Sequence, residues 1–184
     1  LRNLARDGED TASHSTYRPV AVYASDVNGD GITELPRAVL MAGYKDTSSS
    51  DAVYMLDWYA YGIGKVPTKV ATTYQNISDA WSLLIDQKWH DRITAIKVND
   101  GGLSYVEFFE YRKNKMSIPL FNIYCATGSN REYYAERTDL IQLGQTTQAI
   151  YFAKLTNEGE QSELALTGDE IKARFSLVNQ AWNN

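Results

Sequence analysis

Residues 25–36 read SDVNGDGITELP. Oxygen-bearing side chains recur at Asp26, Asn28, Asp30 and Glu34, with Gly31 inside the run. Alternate residues of a tight loop turn inward, and glycine accepts a sharp bend that larger residues resist. Calcium takes roughly six to eight oxygen ligands. The spacing therefore predicts a structural calcium loop. Asp26, Asn28 and Asp30 would give side-chain oxygens, Ile32 its backbone carbonyl, and Glu34 would close the shell directly or through water. A helix-loop-helix site also needs a bidentate Glu at the twelfth loop position. Arg37 stands there, after Pro36, and the flanks PVAVYASD and LPRAVLMAGY are β-prone. The loop is thus read as a link between two strands.

Working outward, the chain has 184 residues, 43% of them hydrophobic, enough for a sizeable core. The 13 tyrosines and four tryptophans suit half-buried sheet surfaces. The net charge of -5, with no basic block, argues against nucleic acid as a partner. No apolar run is long enough to span a membrane. The single cysteine, Cys125, cannot form an internal disulfide and sits in a strand-like stretch, FNIYCATG, as expected of a buried thiol. The chain opens at Leu1 rather than at Met, as a processed or excised piece would, so an upstream lipid anchor is compatible with it.

Three segments are predicted. Residues 1–17 form a polar N-terminal arm. Residues 18–73 hold four short strands, in PVAVYASD, LPRAVLMAGY, DAVYMLDWYAYG and GKVPTKVATTY, with hairpin glycines in YGIGK. Residues 74–184 begin with a strand pair, DAWSLLID and RITAIKVND, around QKWHD; a DGG turn follows. LSYVEFFEYRK, PLFNIYCATG and LIQLGQTTQAIYFAKLT supply further strands, and SNREYYAERTD a short helix. In LTGDEIKARFSLVNQAW, Thr167 precedes Glu170 by three residues, a capping box. Ile171, Phe175, Val178 and Trp182 then make one apolar stripe, predicting a closing helix over 167–182 packed on a sheet. The expected fold class is α+β: a small antiparallel β unit, then an antiparallel-sheet α/β sandwich closed by that helix.

The loop ASDVNGDGITELP resembles the calcium loop of FG-GAP or VCBS-type repeats, with the pattern D-x-[DN]-x-D-G-x-x-[DE] met at Asp26, Asn28, Asp30, Gly31 and Glu34. The resemblance implies a propeller-blade-like unit over 18–73. Residues 74–184 are similar to the PsbP-like sandwich, on Tyr74, Asn76, Asp79, Trp81, Ser82 and Trp89, with Gln87 where that pattern has Pro. This order of parts resembles secreted lipoproteins of Firmicutes, which implies a bacterial extracellular or surface-anchored module.

Catalytic signals are sparse. His14 and His90 are the only histidines, too few for an ordinary zinc centre without several carboxylates, and no nucleophile motif surrounds Cys125. Glu107 and Glu110 stand three apart, on opposite faces of a strand, so they do not form a shared acid/base pair. The expected function is non-catalytic binding of protein or glycan at the cell surface, with Trp58, Tyr59 and Tyr61 as the contact patch. The alternative is a hydrolase, or an accessory domain of one, with its site at the seam between the two parts. The sequon at Asn76–Ser78 carries no weight in a bacterial chain.

Overall fold

The computed structural model describes residues 19–178 apart from 49, 63–65, 101–102 and 114. The expected arm, the DGG glycines, most of the YGIGK turn, His14 and Trp182 lie outside the described residues or partly so.

Among the described residues, ten strands form two five-stranded antiparallel sheets. The first contains β1 (Leu35–Leu40), β2 (Tyr54–Ala60), β3 (Thr68–Asn76), β4 (Trp81–Leu84) and β10 (Phe175–Leu177), in that order. The second contains β5 (Ile93–Asp100), β6 (Leu103–Arg112), β7 (Lys115–Thr127), β9 (Ala149–Leu155) and β8 (Ile141–Gln145), in the order β5-β6-β7-β9-β8. Two short helices, α1 (Asn130–Ala135) and α2 (Gly168–Arg174), sit at the margins. Strand accounts for 48% of the described residues and helix for 12%, which corrects the α+β expectation to a β-rich fold of two antiparallel sheets. The boundary expected between residues 73 and 74 falls inside β3, and β10 brings the far end of the chain into the first sheet.

The largest departure is the closing helix. The capping box forms as read: Thr167 Oγ1 accepts from Glu170 N at 3.2 Å, and Glu170 Oε2 accepts from Thr167 N at 2.8 Å. The helix nevertheless stops at Arg174, because Phe175 turns extended and starts β10. Phe175, Ser176 and Leu177 pair with Leu83, Ser82 and Trp81 of β4. Helix and strand periods both turn Ile171 and Phe175 inward, so the stripe alone could not separate them. What separates them is the open edge of β4, which supplies hydrogen bonds that a longer helix would forgo.

Two other expectations change. Residues 19–24 form no strand, and only the isolated bridge Ser25–Glu34 closes the acidic loop. β4 and β5 do not pair with each other; the stretch between them is a 3-10 turn, Gln87–Trp89, capped by the Asp86 side chain accepting from Lys88 N at 3.1 Å. This turn buries Trp89 completely and carries the chain from one sheet to the other.

The core lies between the sheets. Rings from both sheets touch in series: Trp89–Phe121 at 6.1 Å, Phe121–Phe108 at 4.8 Å, Phe108–Tyr74 at 5.4 Å, Tyr74–Trp81 at 5.5 Å, Trp81–Phe175 at 5.9 Å and Phe175–Tyr151 at 5.6 Å. At one margin Glu110, 0% exposed, is held by Arg92 (2.9 Å), Arg112 (2.6 Å) and Ser162 (2.5 Å). Burial alone would raise its pKa, but the hydrogen bonds from Arg112, Ser162 and Arg92 outweigh it and hold the carboxyl below its ordinary range.

Two outcomes follow from this packing. Phe175→Ala should cost about 3–5 kcal/mol in chemical denaturation, and an unchanged midpoint would place the ring outside the core. Glu110 has a depressed folded pKa, so its stabilisation is present above the unfolded value near 4.5 and lost as pH falls through the folded one. The stability gap between the parent and Glu110→Gln should therefore narrow as pH drops from about 7 to about 3; a constant gap would contradict the ion-pair account.

Candidate functional site

The acidic loop is built by its own side chains. Asp26 Oδ1 accepts from Gly29 N (2.7 Å) and Asp30 N (3.1 Å), and its Oδ2 from Gly31 N (2.8 Å). These bonds, Gly31's the largest, hold the Asp26 carboxyl below its ordinary range. Asn28 Oδ1 accepts from Asp30 N (3.1 Å), and Asp30 Oδ1 from Ile32 N (2.8 Å). Asn28 Nδ2 donates to Asp30 Oδ2 at 2.9 Å. Gly29 and Gly31 have φ of +77° and +83°, the left-handed region that glycine enters freely.

Glu34 differs from the rest. It is 0% exposed; its Oε2 accepts from Val27 N at 3.0 Å, and its Oε1 is buried without a hydrogen-bond partner. A bare buried carboxylate oxygen costs several kcal/mol unless a cation or donor meets it. Among the described residues no three His, Cys, Asp or Glu side chains gather as a metal centre. A carboxylate offers about four acceptor positions, so Asp26 and Asp30 keep capacity beyond their backbone bonds. Asp26, Asn28, Asp30, the Ile32 carbonyl and Glu34 are thus the residues that could hold a small hard cation, and the orphaned Glu34 oxygen is the feature that fits one.

The contact patch expected around β2 splits between two faces, with Trp58 buried and Tyr59 and Tyr61 half-buried. Trp58 is 1% exposed, and its Nε1 donates to Thr73 Oγ1 at 2.9 Å. Tyr59 is half-buried beneath Arg37, whose guanidinium lies 5.0 Å from the ring centroid, and Tyr61 is half-buried too.

A second aromatic cluster lies on the outer face of the second sheet, where half-buried Tyr124 and Tyr134 pack on Phe152, which is 2% exposed. Val106, Phe108, Ile123, Cys125, Tyr151 and Ala153 face the core, so alternation turns Tyr105, Glu107, Asn122, Tyr124, Phe152 and Lys154 outward. Register aligns Tyr105 with Tyr124 and Tyr124 with Phe152, and beside that row Glu107 with Asn122 and Asn122 with Lys154. Tyr105 and Tyr124 stack at 5.0 Å, Tyr124 and Tyr134 at 6.4 Å, and Tyr133 meets Tyr134 edge-on at 5.1 Å. Tyr133 is 63% exposed. Asn122 Nδ2 donates to the Tyr124 hydroxyl at 3.1 Å. The alternation in LSYVEFFEY could have placed Tyr105 and Glu107 on one face, but nothing local aligned them with Tyr124 or with α1.

The residues weighed for catalysis have separate settings. His90 Nε2 lies 3.5 Å from Asp57 Oδ1, beside Thr72 and Lys69 of the first sheet. Cys125 is 4% exposed in the second sheet, and burial pushes its thiol up to about 11. Glu107 faces outward while Glu110 is buried.

No family model, curated protein or solved structure matches the chain. No helix among the described residues is long and apolar enough to cross a membrane.

If a cation completes Glu34, millimolar calcium should raise the parent's stability by about 1–3 kcal/mol for a site of roughly 10–100 μM affinity. Glu34→Gln should lose most of that gain and should melt no lower than the parent in chelator. A parent melting curve identical in calcium and chelator would exclude the site.

Proposed function

We infer that this protein is a non-catalytic binding module that works outside the cytoplasm and docks a protein partner through the tyrosine row, with calcium stiffening the acidic loop. The observation that carries the reading is the stack Tyr105–Tyr124–Tyr134 with the polar row Glu107–Asn122–Lys154 beside it. Tyr105, Tyr124 and Tyr134 are half-buried with their stacked faces occupied, and Tyr133 is the ring that stands most exposed. That arrangement offers fewer free ring faces for a sugar and more mixed apolar and polar edge for a protein. Tyrosine suits such contact because it adds large rigid area at little entropic cost and keeps a polar tip. The likeness of the loop to FG-GAP or VCBS-type repeats, and of the later half to PsbP-like domains in bacterial surface lipoproteins, agrees with this location and belongs to the same proposal.

The test is retention on immobilised bacterial surface proteins against purified wall glycans. The parent should bind the protein fraction, and Tyr133→Ala should weaken that binding by about tenfold or more, as loss of an interface anchor does. Tyr133 is exposed enough that its melting temperature should not move. Retention on glycan alone, or equal binding by the variant, would overturn the reading. Hydrolytic turnover that survives purification would favour the hydrolase alternative.

A further inference from the structure

The turn between β3 and β4 is tied to the second sheet by a cluster that the binding reading does not use. Asn76, at the end of β3, is 3% exposed. Its carbonyl oxygen Oδ1 accepts from Ser78 Oγ at 2.8 Å, from Asp79 N at 3.3 Å and from Lys97 Nζ at 3.4 Å. Its Nδ2 donates to Asp79 Oδ2 at 2.7 Å. Lys97 comes from β5 of the opposite sheet; it is exposed as a residue, but its amine meets both Asn76 and Ser78. The Asp79 carboxylate is steadied by Ser104 Oγ (2.7 Å), and its backbone carbonyl by the Tyr151 hydroxyl (2.7 Å).

These are the parts of an acyl transfer. An amine stands beside a carboxamide. Donors surround the oxygen on which negative charge would develop. A carboxylate sits on the nitrogen that would leave. We propose that Lys97 and Asn76 join in an intramolecular isopeptide bond, with Asp79 delivering a proton to the leaving nitrogen.

In its neutral form, the Lys97 amine attacks Cγ of Asn76 with its lone pair. The oxygen of the tetrahedral intermediate is held by Ser78 and the Asp79 N–H. The attacking nitrogen, on the exposed Lys97, gives a proton to water, and Asp79, which already accepts from Nδ2, takes a proton from water and passes it to Nδ2. The Cγ–Nδ2 bond breaks and ammonia leaves, so a primary amine and a primary amide become one secondary amide. Nothing is oxidised or reduced, and no co-reactant is needed. The reaction happens once per molecule, and burial of Asn76 limits competing water. The product links β3 of one sheet to β5 of the other.

The experiment is intact-mass measurement on the purified chain, with peptide mapping. The expected mass is lower than that of the sequence by one ammonia. Trypsin should fail to cut at Lys97, and a branched peptide should contain both residues. Lys97→Arg and Asp79→Ala should each restore the full mass. Asn28–Gly29 can also lose ammonia by closing to a succinimide, so the branched peptide decides between the two sources. A parent chain that keeps its full mass after prolonged incubation would overturn the proposal, as would a loss of ammonia that maps to Asn28–Gly29 with no branched peptide.

Discussion

The two sheets depend on one chain of aromatic rings. Phe108 and Phe121 come from the second sheet, Tyr74, Trp81 and Phe175 from the first, and they touch in sequence across the gap. Rings of this size bury much apolar area, and offset or edge-on contacts add about 0.5–1.5 kcal/mol each. The geometry also fixes relative position, since a shift of one sheet by one residue would turn every ring in it away from the gap. Trp89 extends the chain into the 3-10 turn that crosses between sheets, so the crossing point is set by the same packing.

Polar interactions then hold the margins that the rings leave open. Glu110 gathers two arginines and Ser162 at one place, and the Asp79 carboxylate gathers Asn76 and Ser104 at another. Each is a carboxylate whose hydrogen bonds come from several strands or loops. Losing one partner leaves a charge poorly solvated, which is costlier than the bond itself. Such clusters add specificity where apolar packing would allow slippage.

Much of this was legible in the sequence. Strand runs such as LSYVEFFEY and DAVYMLDWYA announced β2 and β6 through alternation and aromatic content, and Thr167 with Glu170 announced the start of α2. The end of α2 was not legible, because Phe175 obeys both the helical and the extended period and only β4's free edge decides between them. The same limit hid the sheet partners of β4 and β5, since pairing is a long-range matter that local pattern does not encode. In the candidate sites, the acidic loop's side-chain bonding could be anticipated from Asp26, Asn28, Asp30 and Gly31. The tyrosine row could not, because it is assembled from β6, β7 and α1, and the patch chosen on β2 proved to contain a buried Trp58.

The burial of Asn76 bears on how the protein is produced. Asn76-Ile77-Ser78 is an acceptor sequence for the glycosylation machinery of eukaryotic secretion, which acts on chains before they finish folding. In the folded protein Asn76 is 3% exposed, and its side-chain nitrogen is given to Asp79. A sugar on that nitrogen would need space that the β3–β4 turn fills, and it would remove a hydrogen that Asp79 accepts. A chain made in yeast or mammalian secretory cells would therefore be marked at a turn that closes against the second sheet. A bacterial host avoids that conflict.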